Sequence, residues 1–547
     1  MMAVSFTPRT IAKRLVAAGN IKFYYEDIGV AAGTMTELVA ADGDIDTTKP
    51  LQMFELYEKV FVVNGTNLKV ADFGNTKLTC SALTDPPAHG DILTQATSGA
   101  KMVVDFVTTA KTTIYGKTIA GTFNITNDVS SNNTKATMNP ASFVPSVVTA
   151  PTIPHWYDWT VYPDTKLSGV TLSYGTMPAQ ATLGCSWRGR ACLSGDIDYP
   201  HQYYQARQEN PWDWNYVSND VQSPISGGGD PNVPGQVGDI VVAQIPFDRD
   251  HLIYGGANSL WCLFGDAAEN GSLVEVESTG ILGAKAWCKD NQDNLYVLTF
   301  AGLLKIPKGF GPAENLTEFT YPDFVKDLAY TSSTHRIILG YDKDRNGIKI
   351  AKTTLTTGAN SCWWYDLKTE GLFPETYPNE CGPYSMFYYE SVNSDYKDLI
   401  SGCKDGYMRI SDDDAVNDDI GGSDEAIDSY VTFGPIKLGE ENQEGKVNSL
   451  VGVTAGGGSN GSETDSDDVT FKIWTELSAD KISERFSTNS GQKISGTIKA
   501  PGRWRGNQFR RSIRGMFTGI RIGNNTTSEV WGLEKLLLGI KKAGRMK

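Results

Sequence analysis

Along the chain, short apolar stretches alternate with polar positions, break at a Gly- or Asn-containing turn, and resume as a second apolar stretch. Six such pairs begin at Lys59, Thr182, His251, Asn294, His335 and Asp398. Period-two alternation across a tight turn predicts an antiparallel hairpin. Starts at 251, 294, 335 and 398 lie 43, 41 and 63 residues apart, near the roughly 40 to 50 residues of a four-stranded propeller blade. The gap from Lys59 to Thr182 is too long for one blade. Between about Pro86 and Pro151 the aromatics thin out and Thr, Ser, Ala, Gly and Asn take over, so we read a small β module inserted into a propeller loop.

Helical periodicity is confined to Thr10–Gly19 and Trp531–Lys542. Gly at 56 of 547 residues, spread among Thr, Val, Tyr and Ile, fits many strands and tight turns. The acidic run Ser411–Glu425 reads as a linker or exposed loop, and the strand-like segments beyond it would fill a sandwich. The expected architecture is therefore all-β: an N-terminal arm (1–50), a β-propeller of about six blades (51–85 and 152–425), an inserted small β module (86–151) and a C-terminal β-sandwich (426–547).

The charge balance is a net −15, and it is uneven. Residues 503–547 hold eleven Lys or Arg against Glu529 and Glu534, a net of +9, leaving −24 on the other 502 residues. Such a chain repels nucleic acid at long range, while its basic end suits an acidic partner. Arg503, Arg505, Arg510, Arg511 and Arg514, interrupted by Trp504, Phe509 and Ile513, are the candidate inter-subunit or partner contacts. Phosphate contact with DNA would use the same residue types, and solvated strand faces are the plain alternative.

Chemistry is sparse. The five histidines are scattered, no H-E-x-x-H or P-loop pattern occurs, and no C-x-x-C exists among the eight cysteines, so neither catalytic residue, metal nor cofactor is expected. Carboxylate pairs for glycoside hydrolysis are left open by the sequence. A two-residue turn at Arg188-Gly189 would set Cys185 opposite Cys192, within bridging distance. Asp342, Asp344, Asn346 and Gly347 imitate the start of a calcium loop, but Ile350 and Thr353 stand where later ligands belong, which favours a polar turn. The aromatic clusters at His155–Trp159, Pro200–Tyr204 and Asn210–Tyr216 read as core packing before sugar-stacking platforms. Met1–Asn20 breaks its apolar stretches with Arg9, Lys13 and Arg14, and no window approaches a membrane span, so a soluble protein made in a cytosol is expected.

The strings VFVVNGTNLKVADF, ARQENPWDWNY, GDIVVAQIPFDRDHLIYGGANSLWCLFGD, AWCKDNQDNLYVLTFAGLLKIP, GRWRGNQFRRSIRG and VWGLEKLLLGI together resemble propeller-bearing tail nozzle or hub proteins of short-tailed bacteriophages, of the tail tubular protein B type. The resemblance covers most of 59–547 outside the insertion and rests on pattern, with no catalytic motif. It implies a structural virion protein, assembled in the host cytoplasm into a homo-hexameric tail ring below the portal and adaptor, whose channel passes genomic DNA during ejection. It implies no enzyme activity, no cofactor and no stable membrane insertion. Two other readings stay open: a propeller that binds or degrades polysaccharide, and a host-receptor-binding tail component displaying the insertion.

Overall fold

A computed structural model describes residues 2–6, 14–26, 35–38, 45–46, 49–136, 138–217, 220–227, 235–390, 397–412, 415–421, 423–439, 443–455, 469–498, 502–506 and 513–545. It divides into two compact units, Met1–Ser411 and Asp412–Lys547.

Among the described residues the first unit carries nine antiparallel sheets, seven of which are the blades of a ring. Blade 1 is Met2–Phe6, Arg14–Gly19, Lys22–Glu26 and Met35–Leu38; blade 2 is Gln52–Leu56, Lys59–Val63 and Leu68–Asp72, with His155–Asp158 on its outer edge. Blades 3 to 6 start at Leu183, Val241, Trp287 and His335 and have four strands each, and blade 7 (Pro383–Glu390, Lys397–Cys403, Met408–Ile410) has three.

Face-to-face packing joins each sheet to the next. Val16 and Phe23 of blade 1 pack on Val60 and Val62 of blade 2. Phe61 meets Leu193 of blade 3, and Trp187 and Tyr203 meet Leu252 and Tyr254 of blade 4. Ile253 packs with Leu295 and Val297 of blade 5, which pack in turn with Ile337 and Leu339 of blade 6. Ile338 meets Met386 of blade 7. Tyr389 and Ile400 return to Leu15 and Ala17 of blade 1, where the Tyr389 hydroxyl donates to Glu26 at 2.6 Å. The sheets thus form a closed ring. First strands of neighbouring blades adjoin, Met2–Phe6 lying beside both Gln52–Leu56 and Pro383–Glu390, so they form the inner rim. Closure leaves no sheet face without a partner, which is how a propeller buries strands that are apolar on both faces.

Two expectations are corrected here. The ring has seven sheets where about six are expected, because the segment 1–50, read as an arm, supplies a blade. Arg14–Gly19 is a strand and not a helix: Leu15 to Ala18 are all buried, and burial on both faces overrides the helix preference of Leu and Ala. Gly532–Arg545 is likewise a long strand, paired along Gln443–Ala455. A helix absent from the sequence reading lies at Ala479–Thr488, where the Ser478 side chain accepts from the Lys481 amide and caps the first turn.

The insertion is a seven-stranded sheet ordered Ser142–Phe143, Val129–Ser131, Ile92–Gln95, Ala100–Val107, Thr113–Ala120, Thr76–Thr79, Val147–Thr149. It starts ten residues before the expected Pro86, directly after the third strand of blade 2. Its apolar face joins the propeller core: Phe106 stacks on Trp212 with ring centres 4.1 Å apart and on Tyr157 at 5.4 Å. The second unit opens with a hairpin, Asn417–Ile420 and Ser423–Ala426, inside the run read as a linker. Beyond it, Ser429–Lys437, Phe517–Asn524, Thr470–Glu476 and Ile494–Thr497 form one sheet. The second sheet is Gly502–Gly506, Gln443–Ala455 and Ile513–Gly515, with Gly532–Arg545. Val447, Leu450, Phe471, Ile473, Ile513 and Ile520 fill the space between them as in a sandwich. Among the described residues no helix is long and apolar enough to cross a membrane.

Candidate functional site

Three of the five candidate arginines, Arg503, Arg505 and Arg514, lie on the second sheet of the C-terminal unit. In the register of that sheet Lys446 stands opposite Arg514 on one side and Lys541 on the other. Residues paired across antiparallel strands share a face, so three cations form one row. Arg514 and Lys541 are exposed and Lys446 is half-buried, and none of the three has a carboxylate partner among the described residues. Val447 and Ile513, one residue along, point into the core. Arg503 and Arg505 take register positions opposite Val453 and Val451 of the same central strand, while Arg510 and Arg511 lie outside the described residues. Leu537 and Ile540 are exposed at 45% and 42% and leave apolar surface on the neighbouring long strand. Like charges in register repel in the isolated chain, and a partner carboxylate would relieve that repulsion.

Other sequence signals resolve as structure. Trp156, Trp159, Trp212 and Trp214 are buried core residues. The Asp342 carboxylate accepts the amides of Asp344 and Arg345 at 3.0 and 3.2 Å, closing the turn of blade 6 with Asn346 at φ 51°. Cys185 and Cys192 face each other across their hairpin as free thiols, with burial pushing Cys185 well up. A reducing agent is therefore expected to leave the melting temperature unchanged in differential scanning fluorimetry; a drop would reveal a bridge.

A feature that the sequence reading missed is a cavity of about 450 Å³ inside the ring. It runs along the first strand of blade 6 from His335 to Lys343, walled by the first strands of blades 2, 5 and 7. Lys285, Lys289, Arg336 and Lys343 line it, against Asp290 as the one lining carboxylate among the described residues, with Trp287, Tyr330, Tyr384 and Phe387 between them. Asp290 is occupied: it accepts from the Gln292 and Asn294 amides, the Asn294 side chain and the Tyr296 hydroxyl. The sequence hint was the alternation Lys285, Trp287, Lys289, which puts both lysines and the indole on one face of a strand.

No known family matches the chain, and no curated protein matches it. Solved structures with some likeness include PorZ, a surface component of the type-IX secretion system of Porphyromonas gingivalis, at 10% identity over 98% of this chain and 74% of that one, TM-score 0.27. The phage phi92 endosialidase shares 11% identity over 84% and 83% of the two chains, TM-score 0.24. A Bacteroides thetaiotaomicron protein of unknown function shares 11% over 67% and 72%, TM-score 0.20.

Proposed function

We propose that this chain is a structural subunit of a tailed-phage virion that works by assembly, joining copies of itself into a tail ring through the basic face of its C-terminal sandwich. The observation that carries the reading is the row Arg514, Lys446, Lys541, unneutralised within its own unit, in a chain whose remaining surface is strongly acidic. Guanidinium and ammonium groups on a rigid sheet meet a neighbour's carboxylates with little loss of side-chain freedom, and the exposed Leu537, four residues from Lys541 on the same strand face, adds apolar contact. The resemblance to tail nozzle and hub proteins supports the same reading, with a hexamer below the portal and adaptor and passage of DNA during ejection as its finer content.

Sedimentation velocity of the wild type and of Arg514→Glu combined with Lys541→Glu tests this. The wild type is expected to sediment as a ring and the variant as a monomer, at physiological salt. A wild type that stays monomeric at every concentration overturns the proposal, as does a variant that assembles normally. If the variant assembles but loses a salt-sensitive affinity for DNA that the wild type has, the face contacts phosphate and the subunit-contact reading is wrong.

A further inference from the structure

We propose that the cavity inside the propeller ring binds a small organic anion, one in which a phosphate or carboxylate head is carried on a flat apolar ring. The size fits, since small-molecule pockets span roughly 300 to 1,000 Å³ and are mainly apolar with a few placed polar groups. The charge pattern is the stronger argument. Lys289 is satisfied by the protein, donating to the Pro246 and Phe247 carbonyls at 2.5 and 2.6 Å. Lys285 is different: among the described residues its ammonium has neither a hydrogen-bond acceptor nor a carboxylate partner, and the Trp287 ring centre lies 5.7 Å away. Arg336 donates to the Tyr384 carbonyl at 3.2 Å, sits 5.5 Å from the Tyr384 ring, and also has no carboxylate.

The two residues are neighbours along the backbone and both line the cavity. Lys285 bridges in register with Ile338, and the Leu339 amide donates to the Lys285 carbonyl at 3.0 Å. Arg336 is two residues from Ile338, about 6.6 Å along the strand. Lys285 and Arg336 are both half-buried, so each gives up part of its hydration without a counter-charge, and a bound anion is the direct remedy. Burial lowers both groups, Lys285 to about 8. The titratable or charged groups lining the cavity with Lys285 are Cys288, Lys289 and Asp290 of blade 5, Tyr330, His335, Arg336, Tyr341 and Lys343 of and around blade 6, and Tyr384 and Tyr388 of blade 7, while Cys185 of blade 3 partly offsets the effect of burial on Lys285. Trp287, Tyr330 and Tyr384 offer faces for a flat ring. The inference is independent of the ring-assembly reading.

Titration calorimetry of the full chain with phenyl phosphate, benzoate, inorganic phosphate and phenol tests it. Phenyl phosphate or benzoate is expected to bind one per chain, more tightly than inorganic phosphate, with no measurable heat from phenol. The bound head identifies the class. Lys285→Met should weaken binding about tenfold or more, Lys285→Arg should keep it, and wild-type affinity should fall above about pH 8 while that of Lys285→Arg does not. Without anion, Lys285→Met should melt no lower than the wild type, because it removes an unpaired charge. No heat with either ring anion, tighter binding of inorganic phosphate, an unchanged affinity in Lys285→Met, or a lower melting point for that variant in anion-free buffer each overturns the proposal.

Discussion

Asp105→Ala is expected to cost about 3–5 kcal/mol and to destabilise the propeller together with the inserted sheet. Asp105 sits on the insertion and pairs at 2.7 Å with Lys59 of blade 2, whose side chain is only 7% exposed. The same carboxylate accepts from the Asn75 side chain at 2.7 Å and the Trp212 indole at 3.4 Å. Burial disfavours both charges, but Asp105 and Asp72 with Glu58 raise the pKa of Lys59, and Lys59, His89 and the Asn75 hydrogen bond together hold Asp105 below its ordinary value. Alanine takes the paired carboxylate from the buried ammonium, leaving it the Tyr57 carbonyl at 3.2 Å and the field of Asp72, and the loss follows from that under-compensated charge. Lys59→Met combined with Asp105→Leu should recover much of it, since neither charge then needs solvation.

The sign of the pH effect follows. A depressed carboxylate pKa gives stability that is full above the unfolded value of about 3.9 and lost as pH falls through the folded value. Wild type should therefore lose this share only at strongly acid pH, and Asp105→Ala should lack that part of the acid transition. Guanidinium denaturation by fluorescence and far-UV circular dichroism measures both variants. A single variant as stable as wild type, or one that adds an early transition confined to 76–149, would refute the shared-core account.

Arg190→Met is expected to release residues 206–217 and 220–223 and to cost about 3–5 kcal/mol. Arg190 is completely buried in blade 3. Its guanidinium donates to the carbonyls of Ala206, Val221, Gln222 and Ser223 at 2.6 to 3.1 Å, with the Asp266 carboxylate at 3.7 Å. One planar fork thus holds both ends of a long excursion between the third and fourth strands of the blade. Methionine fills the volume but leaves those carbonyls without their donor. Lysine has a single donor head and should not rescue it, which separates fork geometry from charge. Hydrogen exchange should show protection lost over 206–217 and 220–223 in both variants; unchanged protection there would sink the argument.

Each of the six hairpins read from the sequence lies in a different blade, from 2 to 7. Their spacing misled because the strongest turn does not fall at the same place in every blade. The hairpins at Thr182 and His335 join first and second strands, while those at Lys59, His251, Asn294 and Asp398 join second and third. The interval of 63 residues before Asp398 is one ordinary blade step plus one strand. Blade 1 escaped notice because Arg14–Gly19 and Lys22–Glu26 turn on Asn20-Ile21, where both residues have positive φ without a glycine to announce it. The arginine cluster was legible as alternation, but Lys446 and Lys541 joined its row only through strand pairing.

By itself, the sequence determined the all-β class, the hairpins, the place of the insertion and the basic end, because alternation and turn chemistry act over a few residues. Tertiary structure alone decided that the first fifty residues close the ring, that the insertion shares the propeller's core, and that Lys285 and Arg336 meet in one cavity. Those outcomes depend on which apolar faces find each other across long stretches of chain. In a ring each sheet must bury both faces, so the last blade is completed by whichever segment fits between its neighbours, and the inner strands bring distant residues to a common wall.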